Sequence, residues 1–180
     1  MKNSRVSLHA SRSLHVRTGS VTPPCLKISA GLALLLLAGT VYAAPPLPQC
    51  TISASPVIFG NYDPLSATPV TGTGTLTFQC QSGVTGGGIT YTISLSSGSG
   101  TFAQRTLTNG PNVLNYNLYT DPTLTTVWGD GSAGTATVVT AISKAQALAG
   151  VPNTIYGNIP ALQDVVPGSY SDNITVTVNF

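Results

Sequence analysis

At 180 residues, with 19 Gly, 13 Pro, 3 Cys and only 7% charged side chains, the chain fits one domain behind a removable leader and lacks the charge density of a disordered protein or a nucleic-acid binder. Five basic residues (Lys2, Arg5, Arg12, Arg17, Lys27) precede residue 44, whereas all five carboxylates (Asp63, Asp121, Asp130, Asp164, Asp172) follow it. Residues 44–180 thus set two cations, Arg105 and Lys144, against five carboxylates, a net charge of −3 with no His and no Glu. That composition excludes a run of phosphates as partner and leaves no material for the usual general bases, triads or zinc sites, so no enzyme, cofactor or metal is expected.

The first feature in chain order is the apolar run Leu32-Ala33-Leu34-Leu35-Leu36-Leu37-Ala38 after Lys27, followed by Val41-Tyr42-Ala43 with aliphatic or small residues at −3 and −1 of a cut after Ala43. This predicts a secretory signal peptide over residues 1–43. A membrane span is the competing reading, but the stretch from Ile28 to Ala44 holds about 17 residues, is interrupted by Ser29, Gly31, Gly39 and Thr40, and runs into Pro45-Pro46. The cut leaves a short Pro-rich N-terminus, residues 44–49, ahead of a domain over residues 50–180. It also removes Cys25 and leaves Cys50 and Cys80 as the only pair, which in an exported chain means one disulfide.

From Thr51 onward there are 22 Thr among frequent Val, Ile and Tyr, with Gly or Pro punctuating every segment, the composition of short strands joined by turns. Period-two alternation marks Leu76, Phe78 and Cys80, then Tyr91, Ile93 and Leu95, then Leu114, Tyr116 and Leu118; residues 135–142 and 155–159 continue it. Gly86-Gly87-Gly88, Asn109-Gly110-Pro111, Gly129-Asp130-Gly131 and Pro167-Gly168 supply turns. The one helical stretch, Ser143 to Ala149 before Gly150, is about two turns long and reads as a helical turn in a loop. About seven strands at this spacing predict an all-β, immunoglobulin-like β-sandwich, with a small closed barrel as the competing architecture.

In the last segment Ile174, Val176, Val178 and Phe180 alternate with Asn173, Thr175, Thr177 and Asn179, predicting an amphipathic strand. No residues follow it to make the final strand that such a sandwich normally adds. The expected fold is therefore incomplete, with an apolar groove beside a free strand edge that another chain must fill.

Three stretches together carry a family resemblance. Cys50-Thr51-Ile52 leads to Phe59-Gly60-Asn61-Tyr62-Asp63; Leu114 to Asp121 leads to Trp128-Gly129-Asp130-Gly131; Tyr156-Gly157-Asn158-Ile159-Pro160 leads to residues 167–180. In this order and spacing the chain resembles the spore coat protein U domain family, which includes the subunits of archaic, Csu-type chaperone–usher pili. The resemblance implies an incomplete sandwich held by a periplasmic chaperone, exported through an outer-membrane usher, and completed by the N-terminal strand of a sibling pilin subunit. It implies that Cys50 and Cys80 form the family's early disulfide. It also implies that Ile174, Val176, Val178 and Phe180 belong to the strand that borders the acceptor groove and docks the chaperone. Such a subunit reaches the cell surface or pilus and serves adhesion or biofilm formation. A self-standing secreted coat protein and a carbohydrate-binding sandwich are the alternatives.

One departure from the family pattern matters. A cut after Ala43 leaves Ala44-Pro45-Pro46-Leu47-Pro48-Gln49 before Cys50, and three prolines in six residues lack the amides a donor strand needs. The subunit is expected to accept a strand without donating one, at a fibre's end or outside a fibre.

The remaining candidates have plain structural readings. Asp121, Asp130, Asp164 and Asp172 stand beside turn formers and read as Asx-turn residues rather than a calcium site. Gly83 to Gly88 and Gly98-Ser99-Gly100 lack the Lys-Ser/Thr and helix of a phosphate cradle and read as loops. Trp128, with Tyr116 and Tyr119, is expected in the core, a surface binding platform being the alternative.

Overall fold

Alternating side chains form strands wherever one face can be buried. The computed structural model describes the backbone of residues 3–12 and residues 46–180. In chain order its strands are β1 (Asn3–Arg12), β2 (Gln49–Ser55), β3 (Val57–Asn61), β4 (Val70–Ser82), β5 (Ile89–Leu95), β6 (Arg105–Asn109), β7 (Asn112–Tyr119), β8 (Val138–Ile142), β9 (Val151–Ile159) and β10 (Tyr170–Asn179). One helix, α1 (Lys144–Ala149), lies between β8 and β9. The apolar heart of the leader, Cys25 and the expected cut after Ala43 fall outside the described residues.

The strands make two hydrogen-bonded arrays that meet at β7. In one, β2 pairs β4, β4 pairs β9, and β9 pairs residues 117–119 of β7; in the other, residues 112–116 of β7 pair β6, and β10 pairs both β6 and β5, with β8 outside β5. Where β7 changes partner its alternation fails: Tyr116, Asn117 and Leu118 are buried in succession. A strand that turns from one array to the other shows both faces to the interior at the corner. The chain makes a second such crossing at Pro56, between β2 in the first array and β3 in the second. Proline suits that corner, since it has no amide to continue either ladder.

The core lies where the arrays face each other. Phe78 of β4 stacks on Tyr91 of β5 with ring centroids 4.1 Å apart, and Phe59 of β3 meets Tyr116 of β7 edge-on at 5.9 Å. Both geometries are favoured by the aromatic quadrupole. β3 comes close because β4 and β9 present glycine there. Gly72 and Gly157 are direct ladder partners, and a Cβ on Gly157 would lie 2.6 Å from the Phe59 ring, one on Gly72 2.7 Å from the Ile58 carbonyl oxygen. Gly157→Val should therefore displace Phe59 and destabilise the fold by about 1–3 kcal/mol, the usual cost of overpacking. The drop in melting temperature checks it, and an unchanged midpoint would show that β3 can move away freely.

Cys50 and Cys80 are direct partners in the β2–β4 ladder, both buried, and are joined by a disulfide. The bond closes a separation of 30 residues. Replacing both with Ser should lower unfolding stability by roughly 3–4 kcal/mol in the chain-entropy picture, read from denaturant titration of oxidised and variant protein.

The described residues hold ten strands, nine of them beyond the leader, where seven were expected. β6 holds a single apolar residue, Leu107, with a basic one, Arg105, at the other interior position, so its sequence carries almost no alternation signal. The β6–β7 hairpin closes on Gly110-Pro111, with Gly110 at φ 57°, the glycine-first loop that two-residue hairpins favour. β1 lies in the stretch assigned above to the leader. α1 is a capped turn: Ser143 Oγ accepts from Gln146 N at 3.3 Å, Gln146 Oε1 accepts from Ser143 N at 3.0 Å, and Ala147 alone of its residues is buried.

Candidate functional site

The last strand sits at the centre of the second array, and its alternation is kept throughout. Tyr170, Asp172, Ile174, Val176 and Val178 are buried, while Ser171, Asn173, Thr175 and Asn179 are exposed. Phe180 follows the end of β10 and is 40% exposed, its ring 5.7 Å from that of Phe78.

One side of β10 is covered by the body of the array, with Ser171 opposite Thr108 of β6, and Val176 to Asn179 opposite Leu95 to Thr92 of β5. The other side pairs with β1, in parallel, over nine consecutive positions from Ser4↔Tyr170 to Arg12↔Val178. β1 in turn pairs β3 antiparallel, from Asn3↔Asn61 to Val6↔Val57. Among the described residues β3 has no other ladder. β1 thus bridges β10 and β3, which stand two strand spacings apart, about 10 Å. Backbone N–H and C=O groups on both edges call for an extended segment of any sequence. Where the sequence predicts a free edge beside the terminal strand, the structure has Asn3–Arg12, assigned above to the leader, lying along it.

Beside β10 lies a polar cluster that sequence reasoning missed. Arg105, fully buried, donates through Nε and Nη2 to the Ser96 carbonyl at 3.1 and 2.8 Å, through Nη2 to the Trp128 carbonyl at 2.7 Å, and through Nη1 to Asn117 Oδ1 at 2.6 Å. The guanidinium also stands 5.5 Å from the Phe102 ring centroid. Burial draws its pKa below the ordinary arginine value, against the opposing pull of Tyr116 and Asp172. Its partners are oriented dipoles that substitute for water around the cation.

Asp172 completes the cluster from β10 itself. Its Oδ1 accepts from Ser99 N at 3.0 Å and Ser99 Oγ at 2.8 Å, and its Oδ2 accepts from the Tyr116 hydroxyl at 2.7 Å. Burial, and after it the Asp172 carboxylate, pushes the Tyr116 phenol well above the usual tyrosine range, so it remains a donor. The Asx-turn expectation therefore fails at Asp172, because the residue is an interior strand position whose acceptors are satisfied by a loop and a neighbouring strand. The loop approaches so closely that a Cβ on Gly98, at φ +64°, would overlap the Asp172 carboxylate at 2.1 Å from Oδ2. These contacts tie the loop between β5 and β6 to β10 and β7. The only legible signal was that Arg105 is the one Arg of residues 44–180, where Lys144 is the other cation.

Other expectations resolve simply. Trp128 is fully buried, with Nε1 donating to the Ile93 carbonyl at 3.1 Å, so it is core and offers no platform to a ligand. Asp121 is a partly exposed turn residue whose carboxyl is held below the ordinary range by hydrogen bonds from the Thr123 hydroxyl and from the Thr126 and Thr125 amides. Asp130 plays the same part toward Ser132, which donates to it through N at 2.9 Å and Oγ at 2.6 Å. Among the described residues no helix is long and apolar enough to cross a membrane.

The model of the Spore Coat Protein U domain family matches residues 38–177. No curated protein sequence is significantly similar. Among solved structures, the chain is similar to one in the CsuC–CsuE chaperone–tip adhesion subunit pre-assembly complex from the archaic chaperone–usher Csu pili of Acinetobacter baumannii, at 23% identity and a TM-score of 0.42. That match covers 74% of this chain and 40% of the other, so the chain spans well under half the length of its counterpart. An all-β chain with a Cys50–Cys80 disulfide, matched by the family model over residues 38–177, belongs to the spore coat protein U domain family.

Proposed function

We propose that the chain is an exported structural subunit of a chaperone–usher pilus, an incomplete immunoglobulin-like sandwich whose groove between β10 and β3 accepts a donor strand from a neighbouring subunit. Membership of the spore coat protein U domain family supports this reading. The observation that carries it is the pairing of β3: its one ladder partner among the described residues is an inserted strand that also covers the free side of β10. Remove that strand and Ile174, Val176 and Val178 line an apolar edge that water and other chains can reach. In this reading a periplasmic chaperone shields the edge in transit, an outer-membrane usher exports the subunit, and a sibling's strand closes it at the cell surface, in adhesion or biofilm formation. Four apolar side chains from the donor would each supply about 1.5–3 kcal/mol of gross burial, and the ladder sets the register. With Pro45, Pro46 and Pro48 ahead of Cys50, the subunit accepts without donating.

A self-standing coat protein is the second reading, favoured by the fact that a segment of the same chain covers the edge. Periplasmic expression with and without a candidate chaperone, followed by melting in the presence of N-terminal peptides from sibling subunits, separates the two. Chaperone-dependent yield and a melting temperature raised sharply by one peptide are expected. A monomer indifferent to both would leave the coat-protein reading.

A further inference from the structure

The strand that fills the groove comes from the chain's own N-terminus. We propose that Asn3–Arg12 is a cis-acting plug: while it remains attached, the full-length chain closes its own acceptor groove, and removal of the N-terminal segment opens the groove to strands supplied by other chains. The proposal rests on reading the gap between β10 and β3 as the acceptor groove.

Three observations carry it. The pairing is long, nine consecutive positions along β10, and two-sided, since the same strand also takes up β3. The segment has the composition the place requires: Val6, Leu8 and Ala10 alternate with Arg5, Ser7, His9 and Ser11, and no proline interrupts it. By contrast, the residues just ahead of Cys50, which would be next in line to reach the groove, are Pro-rich. Among the described residues Asn3–Arg12 is the segment that completes the ladder, and it lies upstream of the expected cleavage point. Hydrolysis of the Ala43–Ala44 peptide bond, adding one water and leaving a carboxylate and an amine, would leave β1 held by its ladder alone. The covalent tether sets a high effective concentration for the plug, which cleavage abolishes. A nine-position plug then has to compete with a strand from a partner as one free peptide against another.

Register gives the test. In full-length chain carrying Cys25→Ser to remove the spare thiol, Ser7→Cys with Asn173→Cys places two thiols at paired positions, whereas Ser7→Cys with Thr177→Cys places them four residues out of register, about 13 Å further along the strand. Disulfides need Cα atoms within roughly 7 Å. Mild oxidation and peptide mapping should give a 7–173 link several-fold more abundant than the 7–177 link. In the same full-length chain Leu8→Pro, which removes a ladder amide, should speed hydrogen exchange of β10 amides about ten-fold or more. Equal or absent links, or unchanged exchange, would overturn the proposal. A 7–173 link without chaperone dependence of the processed chain would keep the plug and remove the pilus role, and chaperone dependence without the link would remove the plug alone.

Discussion

Val176→Asp should bring recovery of the protein from the periplasm to background. Val176 is fully buried in the middle of β10, between Leu95 of β5 and the register position of Ala10 in β1. A carboxyl group in an apolar interior costs several kcal/mol even when it shifts its pKa and is buried in its neutral form. A single domain has about 5–15 kcal/mol of stability to lose. The same substitution also places a charge on the face a donor or chaperone strand would cover, so both the folded state and its capture are penalised. Thr175→Asp, one residue away on the exposed face, should be recovered at close to the normal level. Quantitative immunoblots of periplasmic extracts compare the two. Equal recovery would mean that the face assigned to the groove is not what keeps the chain soluble.

Arg105→Ala is expected to have a comparably large effect through a different mechanism. The side chain fills a fully buried site and donates to the Ser96 and Trp128 carbonyls and to Asn117. Its removal takes a charged donor from three acceptors and leaves an empty volume the length of an arginine. Breaking a buried charged network typically costs about 3–5 kcal/mol or more, since each orphaned group keeps its desolvation penalty. Arg105→Lys should be intermediate, because one ammonium cannot reproduce the planar fork that reaches two carbonyls and an amide oxygen together. Denaturant titration of the oxidised protein reads both variants. An alanine variant within about 1 kcal/mol of the parent would show that water or a rearranged loop replaces the guanidinium. Because the cluster joins β10 to the loop between β5 and β6 through Asp172 and Ser99, exchange at β10 amides should rise in the alanine variant.

How much of this was legible beforehand differs from element to element. β10, β5 and β7 were read from alternation alone because each has one buried and one wet face along most of its length, which imposes period two. The pairing of Cys50 with Cys80 followed from there being two cysteines beyond the leader, and the ladder makes them direct partners. β6 escaped because its inner face is Arg105 and Leu107, and a cation at a core position looks in sequence like a surface residue. Asp172 escaped for the same reason, since its neighbours Ser171 and Asn173 mimic a turn.

By itself, then, the order of residues determined the all-β class, the inward face of the terminal strand, the disulfide and the family, all of which depend on spacing along the chain. Tertiary structure alone decided which buried polar groups are satisfied and by whom, because the donors and acceptors around Arg105 and Asp172 come from strands and loops far apart in sequence. It decided likewise that Gly72 and Gly157 lie under β3, and that the strand between β10 and β3 is Asn3–Arg12. Which segment pairs between β10 and β3 has no signature in a sequence: the two strands must first be brought alongside, and the pairing is made by backbone hydrogen bonding, which any extended segment can supply.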